Sequence, residues 1–219
     1  MHASPESAHA MTLAGEPVWL LGGRALYWPA RARLVIADLH LGKSHAFRQA
    51  GIAVPSGATR ADLARLDGLV QAWGARELWI VGDVLHGPAG DAAWRERWIE
   101  WRRAHETLDV VALPGNHDRA LEGEALGLRQ LGESAADGPF VFRHLPRPDA
   151  AGGHVIAGHV HPKLRLPGLA RAAPGFWLRE QLTVLPAFSE FTGGQPVQLA
   201  PGERFVACQD GGVLPWPPG

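Results

Sequence analysis

Leu34-Val35-Ile36-Ala37-Asp38-Leu39-His40 is the stretch on which the reading of this chain turns. Its apolar half offers no polar face, so a strand here has to be covered on both sides. A carboxylate and an imidazole follow at its carboxyl end. Other runs repeat the form. Leu78-Trp79-Ile80-Val81 ends in Gly82-Asp83-Val84-Leu85-His86, and Val110-Val111-Ala112-Leu113 leads through Pro114 to Gly115-Asn116-His117-Asp118. Val155-Ile156-Ala157 ends in Gly158-His159-Val160-His161, and His144 follows Phe140-Val141-Phe142-Arg143. Ligands in open α/β sheets collect beyond the carboxyl ends of strands, so one shared site is geometrically easy to build from these places.

Between the runs lie helical patterns. Lys43 to Gly51 reads as a short helix; the next, capped by Thr59, carries Leu63, Leu66, Leu69, Val70 and Trp73 at helical spacing and closes at Gly74. From Asp91 to His105, Trp94, Trp98 and Trp101 share one stripe, which burial in a core explains fully. Upstream, Val18–Leu21 and Ala25–Trp28 flank Gly22-Gly23 as a hairpin. Strand and helix alternate as far as Asp118 and predict a largely parallel sheet with right-handed crossovers. Beyond it, short Gly- and Pro-punctuated runs predict mostly antiparallel strands. The expected fold is α/β, with two sheets packed face to face and helices outside. Residues 1–14 read as a loose end, 15–212 as a single domain and 213–219 as an irregular Pro-rich end.

At 219 residues the chain can bury a substantial core without disulfides. Apolar residues make up 46% and charged residues 20%, as in soluble globular proteins, and no run approaches the roughly 18 apolar residues of a membrane span, so no membrane association is expected. A formal net charge of -1 provides no global basic field and weighs against a large nucleic-acid footprint, although bound divalent cations would add local positive charge. Lys43 and Lys163 are the only lysines among mostly arginine cations. Cys208 has no disulfide partner, and the N-terminal segment lacks a basic start followed by an apolar stretch; both point to the cytoplasm.

The candidate ligands are carboxylates, imidazoles and one amide, a set that suits manganese, iron, zinc or cobalt. Two such ions about 3.5–4 Å apart form a clamp for in-line displacement at phosphorus. A shared carboxylate has to hold them together; Asp83 is the choice, since Gly82 lets the backbone approach and its strand lies between the others in sequence. Of the two histidines near the fourth run, His144 is the expected ligand. His154 starts the strand that leads to His159, which puts it roughly 16 Å away at the opposite end.

The ordered blocks D-x-H, G-D-x-x-H, G-N-H-D, a lone histidine and G-H-x-H, from Asp38 to His161, resemble the calcineurin-like metallophosphoesterase superfamily. That resemblance implies an enzyme with a dinuclear metal site. Asp38, His40, Asp83 and His161 would bind one ion, and Asp83, Asn116, His144 and His159 the other. A metal-bridging hydroxide would be the nucleophile, His117 the general acid, and Asp118 the residue that orients it. His86, where many members have Asp, would orient a ligand or touch phosphate, or else serve as a structural histidine; His45 and Arg48, on the segment after the first block, are candidates for substrate contact, with a solvated helix face as the alternative.

Within the superfamily, Ala37-Asp38-Leu39-His40-Leu41-Gly42-Lys43, Phe47-Arg48-Gln49-Ala50-Gly51 with Val54-Pro55, and His144-Leu145-Pro146 leading to Gly158-His159-Val160-His161-Pro162 are similar to the small bacterial ligase-associated DNA damage response endonucleases. This implies a manganese-dependent phosphodiesterase acting on DNA, working beside a DNA ligase and a helicase, as a homodimer. The alternative is a phosphatase or phosphodiesterase for small molecules such as nucleotides or a lipid-linked pyrophosphate, which the near-neutral charge favours. A non-catalytic scaffold is disfavoured, because no ligand position is missing.

Overall fold

A computed structural model of the chain describes residues 7–49, 51, 57–86 and 92–217. The first sheet has seven strands in sequence order: β1 (Ala8–Leu13), β2 (Glu16–Leu21), β3 (Ala25–Trp28), β4 (Arg33–Ala37), β5 (Glu77–Val81), β6 (Asp109–Leu113) and β7 (Arg129–Gln130). Tight turns join β1 to β4 as an antiparallel meander. From β4 to β7 the neighbours are parallel. Parallel neighbours need long crossovers, and the first two of these carry the helices α1 (Lys43–Gln49), α2 (Ala58–Trp73) and α3 (Ala92–Ala104).

The second sheet has nine strands: β8 (Ser134–Asp137), β9 (Phe140–Arg143), β10 (His154–Ala157), β11 (Pro162–Leu164), β12 (Ala173–Arg179), β13 (Leu182–Val184), β14 (Gln195–Pro196), β15 (Arg204–Gln209) and β16 (Gly212–Trp216). Most of its pairs are antiparallel, but β14 pairs in parallel with β11, and β10 pairs in parallel with both β9 and β13. The Pro- and Gly-punctuated connection from 144 to 153 gives the chain room to cross over and start β10 in the same direction as β9. The consequence is functional: β9 and β10 deliver their carboxyl ends to one edge.

Register levels those ends. Ala37 lies opposite Val81, and Val81 opposite Leu113; in the other sheet Arg143 and Val184 both lie opposite Ala157. Asp38, Gly82, Pro114, His144 and Gly158 are therefore the first residues past a common rim.

Strand alternation divides the core. Val35, Ala37, Trp79, Val81 and Leu113 face Phe140, Phe142, Ile156, Phe176 and Leu185 between the sheets. Leu34, Ile36, Leu78, Ile80 and Val110 point the other way, onto Leu63, Leu66 and Val70 of α2 and the stripe Trp94, Trp98 and Trp101 of α3. The expected sandwich forms, and among the described residues the apolar clusters outside the second sheet contain no helical residue. Arg33, 3% exposed, ties the two sheets together. Its guanidinium bonds Glu77 of β5 and Asp137 of β8, each at 2.7 Å, and lies 3.8 Å over the Trp79 ring.

Several sequence expectations are corrected at the margins. Residues 8–13, read as a loose end, form β1, whose backbone pairs along its length with β2. Residues 213–216, read as irregular, continue β16, an edge strand paired with β15, and an edge accommodates Pro215. Helix α2 is capped by Gly57 at φ 102 rather than by Thr59, and Gly74 at φ 58 closes it as expected.

Candidate metal centre

The backbone turns sharply as each run leaves its strand. Asp38, His40, Asp83, His159 and His161 all have positive φ, between 42 and 71°. This left-handed region is uncommon for residues with a Cβ, and such strain is concentrated where function requires it. Here it swings successive side chains toward one point instead of alternating them outward. Glycines clear the space. A methyl group at Gly82 would overlap the His144 ring, one at Gly115 would overlap Asp83, and one at Gly158 would press on the Asp38 carboxylate.

The expected ligands gather in two sets. Asp38, His40 and His161 offer donor atoms within 4.8 Å of one another, as do Asp38, Asp83 and His144. Asp38 is thus common to both compact groups, although the sequence reading assigned the sharing to Asp83. One Asp83 oxygen accepts the His117 backbone N–H at 3.0 Å, and the other faces His144 Nε2 at 3.6 Å. Around that same His144 Nε2 stand Asn116 Oδ1 at 2.9 Å and His159 Nδ1 at 3.1 Å. A single ring nitrogen cannot satisfy three lone-pair donors. A shared cation can.

Unpartnered atoms support this fit. Asp38 Oδ1, both ring nitrogens of His40, His144 Nδ1 and His161 Nε2 are buried without a hydrogen-bond partner. Burial of unsatisfied polar atoms is costly, and it is seldom tolerated without a function. Burial, reinforced by the Lys43 charge and neighbouring imidazoles, holds His40 down at about 2, so its ring is neutral with a lone pair available. Burial also lowers His159. The one thiol contributes nothing: Cys208 lies buried near the Leu21 carbonyl, and burial pushes it up to about 12.

His117 is exposed at the rim, stacked on His86 with centroids 5.1 Å apart and edge-on to His40 at 5.7 Å. The Asp118 carboxylate is bonded to backbone: it accepts the N–H groups of Gly115 at 2.8 Å, Val84 at 3.1 Å and Leu85 at 2.8 Å, which leaves its oxygens occupied by loops rather than by the His117 ring. Asp118 fastens the loop after β6 to the loop after β5. Burial raises its pKa despite these bonds.

His154 sits at the far end of β10, bonded to Thr183 Oγ1 at 2.9 Å and apart from the donor sets. The side chains of His45 and Arg48 lie outside the described residues. Sequence reasoning passed over Lys43, which is buried at the start of α1 beside the site. Burial lowers its pKa while Asp38 and Asp83 oppose the shift. Its rarity in an arginine-rich chain was the available signal. Next to Asn116 and His144 opens a cavity of about 430 Å³, also lined by Arg143, Arg147, Glu133 and Ser134. Imidazoles, carboxylates and an amide on one rim, with an open cleft alongside, can hold divalent cations and admit an anionic ester.

Residues 33–166 match the model of the calcineurin-like phosphoesterases. Among solved structures, the chain is similar to Pseudomonas putida nuclease MPE, with 38% identity over 95% of this chain and 99% of that one and a TM-score of 0.84. Escherichia coli Yfce, a phosphoesterase, is more distant, at 20% identity over 83% of this chain and 96% of that one, with a TM-score of 0.46. No curated protein matches the sequence. The blocks that bring the ligands together lie within the matched region, and the chain belongs to the calcineurin-like phosphoesterase family, as a phosphate-ester hydrolase whose fold implies divalent metal ions.

Proposed function

We propose that the chain is a manganese-dependent phosphodiesterase that cleaves DNA in repair, holding two ions at the common rim of its sheets. The observation that carries the chemistry is the convergence of Asn116, His159 and Asp83 on one nitrogen of His144, beside the group Asp38, His40 and His161, with Asp38 within reach of both. Likeness to a nuclease over nearly the whole chain supports DNA as the substrate. Asp38, His40 and His161 would hold one ion and Asn116, His144 and His159 the other, with Asp83 between them. Iron, zinc and cobalt suit the same donors. When bound, such ions neutralise phosphate charge and bring a water toward neutral pKa.

The chain's own residues supply the rest. His117, exposed where a leaving group would depart, donates the proton to the leaving oxygen. Its backbone bond to Asp83 couples its position to the donor set. His86, stacked against it, faces the same phosphate. The family resemblance extends the reading to a cytoplasmic homodimer acting beside a DNA ligase and a helicase.

A second reading, hydrolysis of small phosphoesters, is favoured by the net charge of -1. Turnover of bis-p-nitrophenyl phosphate against p-nitrophenyl phosphate with manganese, followed by nicking of circular DNA, separates the two. Diester turnover with nicking, both abolished in Asp83→Ala, supports the nuclease. Monoester turnover with intact circles sinks it.

A further inference from the structure

The turn between β2 and β3 and the loop after β13 meet beside His161. A cavity of about 60 Å³ lies between them, lined by Arg24, Lys163, Glu190 and Thr192 together with His161. Its charges are unbalanced. Arg24 is held at φ 65, and its guanidinium makes one hydrogen bond among the described residues, to the Ser189 carbonyl at 3.3 Å. A guanidinium has five donors to satisfy.

The carboxylates close to Arg24 are committed elsewhere. Glu190 and Asp62 each bond Arg65 at 2.8 Å. Arg65 therefore adds a like charge near Arg24 rather than relieving it, and burial followed by that charge lowers the Arg24 pKa. Lys163, whose stem lies against Gly194 where no Cβ would fit, has no ion-pair partner among the described residues. Glu190 and Asp62 still attract Arg24, but with both bonded to Arg65 the cluster keeps an excess of cations, and partly buried excess charge is costly unless an anion completes it.

We infer that this cavity takes a phosphate of the DNA strand adjacent to the scissile one, gripped by Arg24 and Lys163 while the scissile phosphate lies at the metal centre. The inference rests on the nuclease reading above and deepens it. An isolated diester has no second phosphate to place in this cavity, whereas a strand has. Arginine and lysine both suit the role, the first as a fork and the second as a point charge.

The test compares Lys163→Met, which keeps the stem, and Arg24→Gln with wild type, using a single-stranded oligonucleotide and bis-p-nitrophenyl phosphate as substrates with manganese. The expected result is a roughly tenfold fall in the ratio of kcat/KM for DNA to that for the small diester in each variant. The salt slope for DNA should shrink by about 0.7, the value for one single-strand phosphate contact. Unchanged ratios and slopes, in a wild type that cuts DNA, overturn the pocket alone. Loss of both activities in parallel for Lys163→Met overturns it too. A wild type that hydrolyses the small diester but leaves DNA intact overturns the nuclease reading and, with it, the strand phosphate as occupant.

Discussion

His144 Nε2 and His159 Nδ1 face each other across 3.1 Å, each at the end of its own strand. One proton at most can sit between them, and Asn116 and Asp83 bring further lone pairs to the same nitrogen. A cation resolves that conflict. It also makes stability depend on metal.

Manganese at about a hundredfold excess over its dissociation constant is expected to stabilise the fold by about 2.7 kcal/mol. For a chain of this size that raises Tm by roughly 5–10 °C over the chelated protein. His144→Ala should abolish most of the shift. Equal melting of wild type with manganese and with chelator would contradict the site.

For His117→Ala, the loss of rate should track the leaving group. Esters with poor leaving groups should slow by about a hundredfold or more, the scale of general acid catalysis, while p-nitrophenolate esters lose much less. Rates measured across substituted phenyl esters check this. A uniform loss would remove the acid role.

Asp118→Ala should behave differently. It strands the N–H groups of Gly115, Val84 and Leu85, so a destabilisation of about 2–4 kcal/mol is expected in urea unfolding. Activity should fall for all esters alike. If the leaving-group dependence of Asp118→Ala copied that of His117→Ala, Asp118 would be orienting the histidine after all.

The clasp between the sheets gives a pH prediction. Asp137 is held below its ordinary 3.8, first by the Arg31 hydrogen bond and then, against the opposing effect of burial, by Arg33. A depressed carboxyl stabilises the fold above its unfolded pKa, and that contribution is lost as pH falls through the folded value. The advantage of wild type over Asp137→Asn in urea should be full at neutral pH and vanish in the window below 3.8. Arg33→Met should cost about 2–3 kcal/mol, less than for a fully buried pair, because its partners are partly exposed. A pH-independent difference would refute the clasp.

Much of this was legible because covered strands advertise themselves. Leu34 to Ala37 and Val155 to Ala157 have no polar face, and the ligands follow them directly. Helix α3 was legible from its tryptophan stripe. What stayed hidden depends on tertiary pairing. β1, with His9 and Thr12 interrupting its apolar residues, is a strand only because β2 lies beside it. The parallel direction of β10 beside β9 is set by a loop whose path has no local code. Arg33 looks like a surface residue until Asp137 arrives from the other sheet, and Asp118 looks like a partner for its neighbour until the loop after β5 packs onto it. Positive φ at the ligands was equally invisible, since only glycine announces it.

The proposed site holds a pair of ions between strand ends from both sheets. Manganese titration of the purified protein, followed by metal analysis and electron paramagnetic resonance, tests it most directly. Two equivalents per chain with an exchange-coupled signal are predicted. A single equivalent with an isolated-ion spectrum would contradict it.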